Sequence, residues 1–145
     1  MTLTVNPTDS IVNLSALEAI ARRWVSLWTA PVDWQLFDEL HAEGFVDASS
    51  AGRPADRQGF AAGLRAFVAA FPDVQTVVED LVVDAAASKV AIRWRALGTN
   101  ASRYLGAGPT NRATLITGIE IIQVEGGVIT KRWGEWDISA HMHGA

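Results

Sequence analysis

The sequence predicts an α+β fold: three N-terminal helices packed on a curved antiparallel sheet of about four main strands. Three observations predict it. Up to Phe71, apolar residues recur at three- and four-residue steps. Pro72 ends that pattern, and from Val74 onward apolar residues follow strand-like patterning. Near the C-terminus, Val124-Glu125-Gly126-Gly127 reads as a hairpin turn between two β-rich runs. The 145 residues suit one domain spanning 1–145, with no internal repeat or second unit.

The opening residues, 1–12, are polar around Pro7 and read as a loose arm. Leu14, Leu17, Ala21, Trp24, Val25 and Trp28 then form one helical stripe, opposed by Glu18, Arg22 and Arg23. Thr29-Ala30-Pro31 stops this helix. Asp33 caps a short second helix from Trp34 to about His41, with Leu36, Phe37 and Leu40 inward. Glu43 to Ala51 reads as irregular to extended, anchored by Phe45 and Val46, and Ser49 to Pro54 as a loop. Asp56 caps a third helix, Arg57 to Phe71, with Phe60, Leu64, Phe67 and Val68 on its inner stripe.

Val74 to Ala85 is the first strand run. Lys89 to Leu97 is the second, with Val90, Ile92 and Trp94 on one face and Arg93 and Arg95 on the other. A long connection, Gly98 to Asn111, leads to Ala113–Val124 and Val128–Asp137. A sheet curling around the helices leaves a conical cavity. Ile119 to Ile122 is apolar on both faces, so the convex side needs cover, and a homodimer is the simplest cover.

Composition excludes several classes. The net charge is −4 and the basic residues are scattered, so no nucleic-acid footprint exists. The absence of cysteine removes disulfides, thiolate metal sites and a thiol nucleophile. No signal-peptide pattern or membrane-length apolar run is seen, so the expected location is cytoplasmic, with no membrane partner. No strand-to-helix glycine-rich phosphate loop is present, so no nucleotide cofactor is expected. His141 and His143 lack a third defined ligand, so no metal is expected either.

Glu120 stands out chemically. Burying a carboxylate in an apolar strand costs several kcal/mol unless it is paired or protonated. Regular alternation puts Ile116, Gly118, Glu120 and Ile122 on one face. Two readings stay open: a tuned acid/base, or a structural ion pair with Arg132 across the hairpin. Trp136 shares a strand face with Arg132 and Gly134 and offers a flat wall; Gly134 removes a side chain between them.

Several quoted stretches also carry a family pattern: Phe71-Pro72-Asp73, Val90-Ala91-Ile92-Arg93-Trp94, Gly98-Thr99-Asn100, Leu105 to Arg112, Gly118-Ile119-Glu120-Ile121 and Gly127 to Trp133. This succession resembles the SnoaL-like polyketide cyclases, within the group sharing the nuclear-transport-factor-2 and ketosteroid-isomerase fold. The resemblance implies a cone-shaped barrel, usually dimeric, with a hydrophobic pocket for a small apolar ligand or substrate. It also implies a cofactor-free intramolecular aldol condensation run by an Asp and a His on adjacent strands. Those positions are Gly134 and Glu120 here, so both differ. Asn100 stands where relatives often have His after Gly-Thr, whereas Asp137 matches an Asp that recurs in the pattern.

The resemblance therefore suggests that the face of Glu120 lines the pocket. Glu120 and Asp137 are the catalytic candidates. Arg132, Trp136, Trp94, His41, Asp47 and Tyr104 are the substrate-binding candidates, with His41 and Asp47 expected near the cone's mouth and Tyr104 as a candidate lid. The implied chemistry is acid/base work on a polyketide-like or polycyclic carbonyl compound: cyclisation, isomerisation, hydration, dehydration or hydroxylation. A non-catalytic ligand-binding or dimerisation module is the alternative.

Overall fold

A computed structural model describes residues 7–143. Helix α1 spans Pro7–Val25 and runs into a 3-10 turn at Ser26–Trp28; α2 is Trp34–Leu40 and α3 is Arg57–Ala70. The strands are β1 His41–Asp47, β2 Gln75–Asp84, β3 Lys89–Thr99, β4 Ala113–Glu125 and β5 Val128–Asp137. A short α4, Ser139–Met142, follows. The sheet order is β1-β5-β4-β3-β2. Pairings from β2 to β5 are antiparallel, while β1 joins β5 in parallel.

The α+β class is as expected, with three differences in detail. First, α1 begins at Pro7, inside the stretch expected to be loose. Proline is tolerated in a helix's first turn, where its missing N–H has no partner to lose. The remainder of the expected arm, residues 1–6, lies outside the described residues. Second, the sheet is mixed and has a fifth strand, His41–Asp47. Third, the short tail contains α4.

Local chemistry accounts for the helix boundaries. Asp33 accepts from the Leu36 N–H at 3.0 Å, and Asp56 accepts from the Gly59 N–H at 2.8 Å. Each cap satisfies a donor that the first turn leaves free. Along β3 and β4 burial alternates: Val90, Ile92, Trp94 and Ala96 are buried, as are Ile116, Glu120 and Ile122. These inner faces meet Trp24, Phe37, Phe60, Leu64, Phe67 and Phe71 from the helical half. The outer face keeps Val77, Leu97, Leu115, Ile119 and Ile121 exposed, with Ile119 at 55%.

The long connection after β3 is pinned from within. Asn100 is fully buried; its side chain donates to the Ser102 carbonyl at 2.7 Å and accepts from Thr110 N–H at 2.8 Å. Asn100 therefore orders this loop. Gly108 must be glycine, because its φ is +84° and a Cβ there would overlap the Asn100 Oδ1.

Candidate active site

Between α3 and the concave sheet face lies a cavity with about 90 Å3 of water-accessible space. Its apolar walls include Trp28, Phe60, Leu64, Phe67, Trp94 and Trp136. Its polar groups are Ser49, Arg53, Tyr104, Glu120 and Arg132.

Sheet register places the central carboxylate. Glu120 on β4 lies opposite Ile92 on β3 and Gly134 on β5. Trp94, Gly118 and Trp136 form the adjacent cross-strand row. A Cβ on Gly118 would come within 2.5 Å of the Trp94 ring, so this glycine makes room for the indole. Gly134 does the same for an ion pair: a Cβ there would overlap both Glu120 Oε2 and Arg132 Nη2. The expected gap at Gly134 is therefore filled by Glu120 and Arg132 meeting over it.

Arg132 grips Glu120 through two nitrogens. Nη2 donates to Oε2 at 2.7 Å and to Oε1 at 2.9 Å, and Nε donates to Oε2 at 3.2 Å. Its third nitrogen, Nη1, donates to Asp47 Oδ1 at 2.8 Å and to the Ser49 carbonyl at 3.5 Å. Every guanidinium nitrogen is committed. The Arg132 cation also rests 5.2 Å from the Phe60 ring centroid. The Trp94 side chain also hydrogen-bonds the Glu120 carboxyl, so β3 and β5 both hold it.

Asp47 closes the cluster from behind. It is buried at the end of β1, accepts from Ser49 N–H at 3.0 Å and pairs with Arg53 Nη2 at 3.1 Å. Parallel pairing of Asp47 with Arg132 brings the two strands' ends together. The result is an alternating row, Arg53–Asp47–Arg132–Glu120.

Glu120 is 5% exposed. Burial pushes its carboxyl up to about 7; the Arg132 charge and the hydrogen bonds from Arg132 and Trp94 oppose this, and the Asp47 charge adds to it. Desolvation wins because Arg132 is already shared with Asp47, so Glu120 receives only part of its compensation. Tyr104, on the same cavity wall, is pushed up to about 12 by burial, with the Arg53 charge pulling the other way.

Three expected site residues do not line the cavity: Asp47, which lies behind Arg132, and His41 and Asp137, which lie elsewhere. His41 is outside the cavity, in the aromatic core between Phe37, Phe45 and Phe60. Trp24 Nε1–H donates to His41 Nε2 at 2.9 Å. Trp nitrogen is donor only, so Nδ1 carries the His proton and donates to the Phe37 carbonyl at 2.7 Å. Burial lowers this imidazole to about 4. The second-helix pattern put His41 at a helix-to-loop mouth; β1 pulls it inward instead. Asp137 is exposed and also outside the cavity. It accepts from the Ser139 hydroxyl at 2.5 Å and N–H at 2.9 Å, which hold its carboxyl below the usual range. Its alternation puts it on the side opposite Arg132, and β5 ends there without turning it inward.

Sequence reasoning missed Arg53, Ser49, Trp28 and Phe67 as cavity residues. Phe67 and Trp28 were legible only as core stripe. Ser49 accepts from the Gly134 N–H at 2.9 Å, which ties the loop after β1 to β5. His141, set aside as a tail residue, is buried and its Nε2 lies 2.7 Å from the Tyr104 carbonyl, bracing the loop that carries that phenol. Among the described residues, no group of three or more His, Cys, Asp or Glu side chains is placed to hold a metal ion. No helix among them is long and apolar enough to cross a membrane.

A helix-backed sheet enclosing an apolar cavity with a buried carboxylate is the nuclear-transport-factor-2-like architecture, and solved structures agree. TsrD from Streptomyces laurentii superposes with a TM-score of 0.77 at 18% identity, covering 90% of this chain and 93% of its own. A candidate polyketide cyclase from Bacillus cereus gives 0.79 at 23% identity, covering 97% and 87%. IdmH from Streptomyces antibioticus, a candidate polyketide cyclase, gives 0.70 at 26% identity, covering 96% and 97%. No curated protein matches the chain in sequence. The family model of the SnoaL-like polyketide cyclases matches residues 18–143. The chain belongs to that family.

Proposed function

We propose that this chain is a cofactor-independent enzyme that moves a proton on an apolar carbonyl compound, with Glu120 as the acid/base. One observation carries the reading: a carboxyl buried in the wall of an apolar cavity and raised to about 7. A group poised near neutrality can both take and return a proton.

In the ionised form, Glu120 removes a proton from the carbon beside the carbonyl and leaves an enolate. Returning it to another carbon isomerises the substrate. Attack of the enolate carbon on a second carbonyl, followed by protonation of the new alkoxide, closes a ring. Arg132 holds Glu120 in place. Trp94 and Trp136 supply flat walls, with Trp136 half-exposed at the open side. A cavity of about 90 Å3 is smaller than the engineered apolar cavity of about 150 Å3 that admits benzene, so a ring enters only as the open side at Trp136 gives way. A polycyclic or polyketide-like substrate would seat one ring and project the rest past Trp136. The family position held by Gly134 carries no side chain, which favours proton relocation over the two-residue cyclase mechanism.

Deuterium exchange tests this reading. Bicyclic ketones in deuterated buffer are followed by NMR with wild type and Glu120→Gln. Wild type should speed exchange beside the carbonyl, with the rate rising through about pH 7. Equal rates in the two proteins would remove Glu120 from the chemistry.

The multiple hydrogen bonds between Arg132 and Glu120 favour a second reading, a non-catalytic pocket in which the pair is structural. Binding without exchange in wild type would select it. In either case we propose a homodimer through the outer sheet face, where Leu97, Leu115, Ile119 and Ile121 leave an apolar patch.

A further inference from the structure

The charges around the cavity do not balance once Glu120 is protonated. Arg53 and Arg132 then face one carboxylate, Asp47, leaving the row with a net charge of +1. The donors are unequal as well. Every nitrogen of Arg132 is bonded within the protein. Arg53 uses only Nη2, toward Asp47, and its Nε–H is buried with no partner. A buried, unpaired donor on a cation is costly, and native proteins keep few of them.

Arg53 is also built into its position. Its guanidinium lies against Gly63 in the middle of α3, where a Cβ would come within 2.7 Å of Nε. A glycine inside a helix costs stability relative to alanine, so the space it opens has a use. Both Arg53 and Gly63 line the cavity, and Arg53 reaches solvent on one side, with 32% of its side chain exposed. Tyr104 is near enough to feel its charge.

We propose that the cavity takes a flat apolar molecule bearing an anionic oxygen, received by the Arg53 guanidinium, and that this anion enters with a proton on Glu120. The proposal deepens the acid/base reading and rests on it for the proton. The anion supplies the missing negative charge, the ring lies between Phe67, Trp94 and Trp136, and the protonated Glu120 avoids repelling it. Ionised Glu120 restores neutrality and expels the anion. The other charged or titratable groups at the site are Asp47, which stays between the two arginines, Arg132 and Tyr104.

Benzoate and benzamide make the test pair, since they differ chiefly in charge. Binding is followed by quenching of the cavity tryptophans and by calorimetry in buffers of different ionisation heat, from about pH 5.5 to 8.5. Benzoate stays ionised over that range. Benzoate should bind at least tenfold more tightly than benzamide, take up about half a proton at pH 7 and nearly one above about pH 8, and weaken about tenfold per unit at higher pH. Arg53→Gln should lose that preference, and Gly63→Ala, which displaces the guanidinium, should weaken benzoate while leaving the folded circular dichroism unchanged. Glu120→Gln should bind benzoate at all pH values with the low-pH affinity. Equal binding of the two probes, undiminished benzoate binding in Arg53→Gln, or no benzoate binding at millimolar concentration overturns the anion site. A pH-independent affinity in wild type with loss in Arg53→Gln keeps the anion site, but overturns the coupled proton and with it the tuned Glu120.

Discussion

Replacing Glu120 by Gln separates a tuned acid from a structural ion pair through stability alone, with no substrate needed. The carboxyl is raised from 4.5 to about 7 by burial. A raised carboxyl favours folding while it is protonated. Its contribution is fully present below the unfolded value of 4.5 and is lost as pH rises through about 7. At 1.36 kcal/mol per unit, the loss is on the order of 3 kcal/mol. Gln has similar volume and no titration. Urea unfolding of both proteins from about pH 4 to 8 measures the difference, provided the m-values agree. Wild type should lose on the order of 3 kcal/mol relative to Glu120→Gln across that window. If Arg132 instead dominates, the carboxyl lies below 4.5 and the difference runs the other way, with wild type gaining as pH rises. A flat or reversed difference refutes the burial argument.

The comparison with the variant is necessary because His41 masks the effect in wild type. Its imidazole is lowered from 6.5 to about 4, so its contribution is present above 6.5 and lost as pH falls toward 4. Over the shared window the two groups act in opposite directions and by similar amounts. His41→Gln keeps an acceptor for Trp24 and a donor for Phe37, and should remove the acid loss, again on the order of 3 kcal/mol; an unchanged acid limb in urea unfolding would contradict this. Gly134→Ala should drive Glu120 and Arg132 apart and cost roughly 1–3 kcal/mol as overpacking, read as a lower melting temperature; an unshifted melt would mean the pair is free to move. Ile119→Asp on the outer sheet face should turn a dimer into monomer in light scattering, with no loss of helix or strand signal; an unchanged mass would place any interface elsewhere.

The main α+β arrangement was legible because its signals are local. The caps at Asp33 and Asp56, the break at Pro72 and the Gly126-Gly127 turn each act within a few residues. β1 was illegible as a strand because His41–Asp47 is short, carries Gly44 and alternates only partly in polarity. It is a strand because β5, far along the chain, offers it an edge. The same distinction divides the site. Glu120 stood out because a carboxylate in an apolar strand is costly wherever the strand goes. Arg132 followed from hairpin spacing. Arg53 sits in a loop, where no periodicity marks a direction, and only the closed fold brings it to the cavity. Gly63, a helix-weakening residue within the α3 pattern, was the one available signal.

Parallel docking of β1 on β5 also sets when the site comes into existence. Arg132 and Asp47 are 85 residues apart in sequence, whereas Arg132 and Glu120 are separated by 12. Contacts that close long loops form late, after the local hairpins have assembled. The Glu120–Arg132 half of the row can therefore form within a partly folded sheet, wet and without a helical roof. Asp47 and Arg53 join only when the N-terminal segment adds its strand to the edge. During synthesis, residues 41–53 leave the ribosome long before their partner strand exists. The complete charge row is thus confined to the finished chain, and substitutions in β1 should speed unfolding more than they slow refolding.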